Sequence, residues 1–503
     1  MNSFSIFRTP FHYLLFGMFL SMGLLPARAA IRSTEQPDPP KQRNVIFILT
    51  DDHRYDYMGF TGKVPWLQTP NMDRLAAEGA YLPNAFVTTS LCSPSRASIL
   101  TGLYSHTHTI VDNQAPDPGN LTFFPEYLQK AGYQTAFLGK WHMGSDTDEP
   151  RPGFDHWESF FGQGVYFNPT LNINGKRIEY RDSTYITDVL TEHAIDWLKK
   201  RDKKKPFFLY LSHKAVHAEF QPAKRHDGLY AGKQIELPPT FDQTKTGAWR
   251  DLKWPEWVAK QRVSWHGVDY MYHSNTDMFE LVQKYCETLL GVDESIGSVM
   301  EYLESEGLDD STLVIYMGDN GFSWGEHGLI DKRHFYEESV KVPLLVRCPE
   351  LFEGGQVPKA MVQNIDIGPT VLAEAGVEKP ADMPGVSFIP ILTGEKPEGN
   401  RDKIYYEYYW ENDFPMTPTV FGMRTDKYKY IRYNGIWDRN ELYDLENDPH
   451  EMYNLIGAED KQELIKGMLD SLYTWLEDTD GMGIPLKRTG RPRFGDYKHK
   501  GEY

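Results

Sequence analysis

The sequence predicts an α/β fold with a large, mostly parallel central sheet, followed by a small C-terminal α+β domain with an antiparallel sheet. Three observations predict it. Continuous apolar runs at 45–49, 135–138, 207–211 and 313–317 read as strands buried on both faces. Stretches with apolar residues three or four apart lie between them, as the crossovers of a parallel sheet require. Beyond about residue 396 the chain turns aromatic, and the 427–433 segment alternates as a strand covered on one side does.

Taken in order, residues 1–29 read as a cleavable export signal. Arg8 supplies a positive charge, 13–25 is mostly apolar, and Ala27-Arg28-Ala29 is a small-residue cleavage site. The apolar run is shorter than the roughly 20 residues of a membrane span. A periplasmic or secreted protein without stable membrane insertion is therefore expected, with a retained anchor as the alternative. Residues 30–43 read as a polar, Pro-containing linker, 44–395 as the main domain and 396–503 as the C-terminal subdomain. Helical spacing marks 71–79, with Gly79 at the C-cap position, then 188–199, and most clearly 281–303. Leu464, Met468, Leu472 and Trp475 mark a closing helix. The tail at 488–500 carries five basic residues among Gly and Pro, either a solvated end or a flap lending charge to a substrate.

Composition narrows the function. At 503 residues with 40% hydrophobic content the chain has ample material for a packed interior. Its 53 basic against 71 acidic residues, a net charge of −18, exclude a general nucleic-acid partner. Cys92, Cys286 and Cys348 are too few for a disulfide framework. At most Cys286 pairs with Cys348; otherwise both are buried thiols.

Each apolar run ends in residues that carry chemistry: Asp51-Asp52, Lys140 with His142, His213, and Asp319-Asn320. Ligands bind off the carboxyl ends of parallel strands, so these ends predict one shared site. The acidic pairs could cap helices. Brought together, they offer the hard oxygens that suit Ca²⁺, or Mg²⁺, rather than Zn²⁺. His106-x-His108 reads as a loop feature, since no third soft ligand accompanies it. Arg96, Lys140 and Lys332, with His142 and His213, would suit a tetrahedral oxyanion. Each also reads as an ordinary surface or core polar group.

The polar stretch 88–102 contains Cys92, Pro94 and Arg96 as C-x-P-x-R. Together with Asp51-Asp52, Gly139-Lys140-Trp141-His142, His213, Asp319-Asn320 and Asp331-Lys332-Arg333, it resembles the type I, formylglycine-dependent sulfatases. The resemblance runs from Asn44 to the 441–449 segment. It implies an alkaline-phosphatase-like sandwich and maturation of Cys92 to formylglycine by a dedicated enzyme. The hydrate of that residue would have one hydroxyl to attack sulfur and a second to expel sulfate. It further implies Ca²⁺ held by Asp51, Asp52, residue 92, Asp319 and Asn320, with Arg96 holding the hydrate and His142 assisting its proton traffic. Lys140 and Lys332 would neutralise sulfate oxygens, and His213 would protonate the leaving alcohol.

His217, Glu219, Trp324, His327, Arg333 and His334 are the candidate sugar contacts, with Tyr336 beside them; each also reads as an ordinary packed residue. The implied substrate is a sulfated polysaccharide or its oligosaccharides. A phosphate or phosphonate monoester hydrolase and a non-catalytic glycan-binding homologue are the alternatives.

Overall fold

A computed structural model describes residues 42–483 apart from 144–146, 274–275, 400, 412–413 and 435–437. The export signal, most of the linker and the basic tail lie outside the described residues. The described residues belong to one compact unit.

Nine strands form the main sheet, in the spatial order Ala80–Tyr81, Leu344–Arg347, Thr312–Gly318, Asn44–Thr50, Phe207–Ser212, Gln134–Gly139, His156–Ser159, Thr170–Ile173 and Lys176–Glu179. The five central ones run parallel; both edges are antiparallel. Register brings the four expected strand ends level, since Leu49 and Gly139 both pair with Ser212, and Thr50 pairs with Gly318.

The apolar runs are continuous because both faces are covered. Val45, Phe47 and Leu49 point into one core, Ile46 and Ile48 into the other. Helices Pro70–Glu78, Ile186–Lys200 and Met278–Ser305 cover the second face through Met72, Leu75, Val189, Leu190, Val292 and Ile296. Helices Cys92–Thr101, Phe124–Lys130 and Ile367–Glu374 cover the first. Burying each such aliphatic side chain contributes about 1.5–3 kcal/mol. Among the described residues no helix is long and apolar enough to cross a membrane.

The second sheet is antiparallel, in the order Lys403–Tyr408, Val420–Thr425, Tyr428–Tyr433 and Glu441–Asp444. One face joins the main core through Ile404, Tyr406, Val420 and Ile431. Helix Gln462–Asp478 covers the other, packing Met468, Leu472 and Trp475 onto Phe421, Met423 and Leu442.

Three details differ from or settle the sequence reading. Gly79 has φ −131°, not a left-handed cap; it is needed because a Cβ there would overlap the Val346 carbonyl. Cys286 and Cys348 are buried, free thiols. His106 and His108 do not share a ligand. His106 Nδ1 lies 2.8 Å from a Glu407 carboxylate oxygen, and His108 Nε2 lies 3.1 Å from Ser98 Oγ.

Candidate active site

The site sits where four of the five parallel strands end. Main-chain bonds tie two of these ends together: Asp51 N donates to Ala215 O (2.9 Å) and Val216 N to Asp51 O (2.8 Å). Asp52 turns into a left-handed conformation (φ 54°), and its N–H donates to Asp319 Oδ1 at 3.0 Å. Gly139 takes φ +119°, where a Cβ would strike the Ser212 carbonyl; only glycine lets the chain turn there into Lys140.

Cys92 is the first residue of helix Cys92–Thr101 and is fully buried. Its Sγ lies 3.4 Å from Asp51 Oδ1 and 4.0 Å from Asp52 Oδ1. One turn on, Arg96 binds Asp319 Oδ2 through Nε (2.9 Å). Its Nη1 donates to Lys140 O and Ser212 Oγ, both at 2.7 Å. The Lys140 ammonium bonds the Asp51 carboxylate and, at 2.5 Å, Gln163 Oε1. The Lys332 ammonium bonds Asp52. Asn320 Nδ2 donates to Asp52 Oδ1 at 2.7 Å, while its Oδ1 is buried without a partner.

Asp51, Asp52 and Asp319 each present an oxygen within 4.8 Å of the others. Their electrostatics show how crowded this is. Burial opposes ionisation of Asp51, yet Lys140 and the other cations hold its carboxyl well below the usual range. Burial, with Asp51 beside it, raises Asp52 in spite of Lys332, and burial plus Asp51 push Asp319 up to about 7. Three carboxylates that repel one another around an orphaned amide oxygen make the donor set of a hard divalent cation.

Two family models match the chain. Residues 43–377 match the Sulfatase family model, and residues 325–478 match that of the N-sulphoglucosamine sulphohydrolase C-terminal region.

The chain belongs to the sulfatase family.

It is a sulfuric ester hydrolase of that family. The chain is 35% identical to the N-acetylglucosamine-6-O-sulfatase of Bacteroides thetaiotaomicron, over 91% of each chain. It is 27% identical to PehA, a multifunctional alkaline phosphatase superfamily protein of Trinickia caryophylli, over 86% of this chain and 95% of that one. It also resembles a solved structure of a protein in complex with its substrate, D-glucosamine-2-N,6-O-disulfate. That likeness has TM-score 0.77 and 33% identity, covering 89% of this chain and 100% of the other.

The sulfatase brings together Asp51, Asp52, Cys92, Arg96, Lys140, His142, Asp319, Asn320 and Lys332, all buried. His142 is left-handed (φ 56°), with Nδ1 unpartnered. Burial, then the Lys140 charge, hold it well below the usual histidine range.

His213 is not brought in, which corrects the expectation drawn from sequence. Still part of the strand hydrogen bonding, it donates its N–H to Leu49 O. Its Nε2 meets Ser295 Oγ at 3.1 Å on the Met278–Ser305 helix, in the covering layer. Burial alone lowers it to about 3, without help from the site's charges. His217, four residues later, does border the carboxylates. Its Nε2 is 3.9 Å from Asp52 Oδ2, and it forms a ligand-distance cluster with Asp51 and Cys92.

Three of the six expected sugar contacts are packing residues. Trp324 sits in an aromatic cluster with Phe220, Tyr285 and Phe322. His327 stacks on Tyr336 at 3.8 Å and bonds Glu451 O. His334 bonds Ser323 Oγ at 3.2 Å. Glu219 is exposed, next to Gln221. Arg333 is buried, bonded to Glu411 (2.9 Å) and to Asp331, with its guanidinium 4.0 Å from the Phe414 ring centroid. Sequence reasoning did not single out Gln163 or Lys214, and gave Asp331 no role of its own. Asp331 and Arg333 flank Lys332 with φ 86° and 82°, a strain held in place by their partners. No residue pattern announces that strain.

Proposed function

We propose that the chain hydrolyses sulfate esters on carbohydrate, acting on a glucosamine-type sugar of a sulfated polysaccharide or its oligosaccharides. The observation that carries this reading is the convergence of Cys92, three buried carboxylates and three cations on the ends of four strands. The sugar class follows from the relatives named for N-acetylglucosamine-6-sulfate and the glucosamine disulfate. We assign 44–395 to catalysis and 396–503 to a subdomain, in a protein exported through residues 1–29.

Asp51, Asp52, Asp319 and the Asn320 amide oxygen would hold Ca²⁺, with residue 92 completing the set. When bound, the cation would supply Lewis-acid polarisation of the sulfate, and formylglycine at position 92, made by a maturation enzyme, would supply the nucleophile. The chain's own side chains do the rest. Arg96 orients residue 92 through its bonds to Asp319 and to the Lys140 carbonyl. Lys140 and Lys332 neutralise charge developing on the sulfate oxygens. His142, its Nδ1 free of partners, handles a proton at residue 92. His217 protonates the leaving sugar oxygen, since its ring borders Asp52 and the nucleophile while His213 faces the helices.

The test is sulfate release by calcium-loaded protein from its native host, with N-acetylglucosamine-6-sulfate against matched aryl sulfate and aryl phosphate. Calcium-dependent release from the sugar, with aryl sulfate preferred to phosphate, is expected. Faster phosphate turnover would make the chain a phosphomonoesterase instead. Polymer binding without any turnover would make it a glycan-binding homologue.

A further inference from the structure

Three cations of the site have carboxylate partners: Arg96 with Asp319, Lys140 with Asp51 and Lys332 with Asp52. A fourth does not. Lys214 is 4% exposed and, among the described residues, makes no ion pair or hydrogen bond with its ammonium. The ammonium lies over the Tyr166 ring, 4.6 Å from its centroid. A cation over an aromatic face recovers only part of the hydration lost on burial.

The lysine is held in that position by the site's own framework. Tyr166 donates its hydroxyl to His217 O at 2.6 Å, and His217 N donates back to Lys214 O at 3.1 Å. The next residue, Ala215, accepts bonds from Thr50 Oγ1 (2.6 Å) and Asp51 N (2.9 Å). Lys214 is thereby fixed relative to Asp51 and His217. Burial, then repulsion from Lys140, lower its pKa to about 8, with Asp51, Asp52 and Cys92 acting in the other direction. A buried ammonium without a carboxylate partner suits an incoming anion.

We propose that Lys214 binds a non-bridging oxygen of the sulfate being transferred, as a fourth cation of the substrate site; this rests on the sulfatase reading above. It is the reacting sulfate rather than a remote substituent, because main-chain bonds tie 214–217 to Asp51, and His217 lies at ligand distance from Asp51 and Cys92. A buried unpaired lysine is a burden to the empty protein, so removing it should not lower stability.

The experiment titrates inorganic sulfate into calcium-loaded Lys214→Met and wild type by calorimetry. It also measures Tm and kcat/KM on aryl and sugar sulfates. The expected result is sulfate affinity weaker by about tenfold or more, the scale of one charge-assisted hydrogen bond. The kcat/KM losses should be equal on both substrates, and Tm should be no lower than wild type. Unchanged sulfate affinity overturns the proposal, as does a loss confined to sugar sulfates or a lowered Tm that accounts for the effect. Lys214→Gln decides in the same way if the methionine variant does not fold. A wild type that neither binds sulfate nor cleaves any sulfate ester overturns the sulfatase reading itself. Wild-type binding with normal binding by the variant removes only Lys214.

Discussion

At the scale of single residues, two histidines four positions apart have opposite surroundings and so opposite expected phenotypes. His217→Ala should cost 10²–10⁴-fold, roughly the worth of a general acid, on a sugar sulfate. It should cost far less on an activated aryl sulfate, whose leaving group needs no proton. His213→Ala should keep the ratio of the two rates at its wild-type value; a reversed pattern in steady-state kinetics would restore the role to His213. Stability should report His213 instead. Its folded pKa of about 3 lies below the unfolded value, so its contribution is complete above about pH 6.5 and is lost as pH falls toward 3. The stability advantage of wild type over His213→Gln should therefore shrink by about 1.4 kcal/mol per pH unit below 6.5 in denaturant titrations. An advantage that stays constant with pH would mean that the ring is protonated in the folded state. The misassignment has a physical origin: both histidines follow the same apolar run. Strand direction says where the run ends but not how many residues later the chain faces the pocket.

Among the secondary-structure elements, the closing helix Gln462–Asp478 is fastened mainly by Trp475. Its indole stacks on Tyr405 at 4.8 Å and meets Tyr104 edge-on at 5.0 Å. Trp475→Ala should cost about 3–5 kcal/mol, seen as a lower Tm, with kcat/KM close to wild type because no site residue lies on that helix. A large loss of activity at a temperature where the variant is folded would show that the small sheet shapes the pocket. Elements of this kind were legible in the sequence because their patterns are periodic: the four apolar runs, the 281–303 helix and the aromatic strands all stand in the structure. Short connections were less legible. Trp324, His327 and His334 lie in a polar-looking loop that tertiary packing buries. Gly79 looked like a helix cap, but close approach of the Val346 carbonyl is what requires it.

Across the whole molecule, a net charge of −18 surrounds a pocket lined with cations. An anionic polymer is thus repelled at long range and attracted at short range. Raising ionic strength from 0.01 to 0.1 M shortens the screening length from roughly 30 to 10 Å. Polymer kcat/KM should rise over that range, while a monosaccharide sulfate shows a smaller change. A monotonic fall for the polymer would mean that basic groups outside the pocket govern its capture. The fold class, the acidic pairs and Lys140 were readable from the strand ends. The fourth cation was not, since a lysine's lack of partners appears only once the chain is folded.

The central claim, that Cys92 is the precursor of the nucleophile, is tested most directly by the mass of the peptide containing it, in protein from the native host. The account predicts a loss of about 18 Da relative to the cysteine form, the change from thiol to aldehyde. An unmodified thiol in protein that still releases sulfate would contradict it.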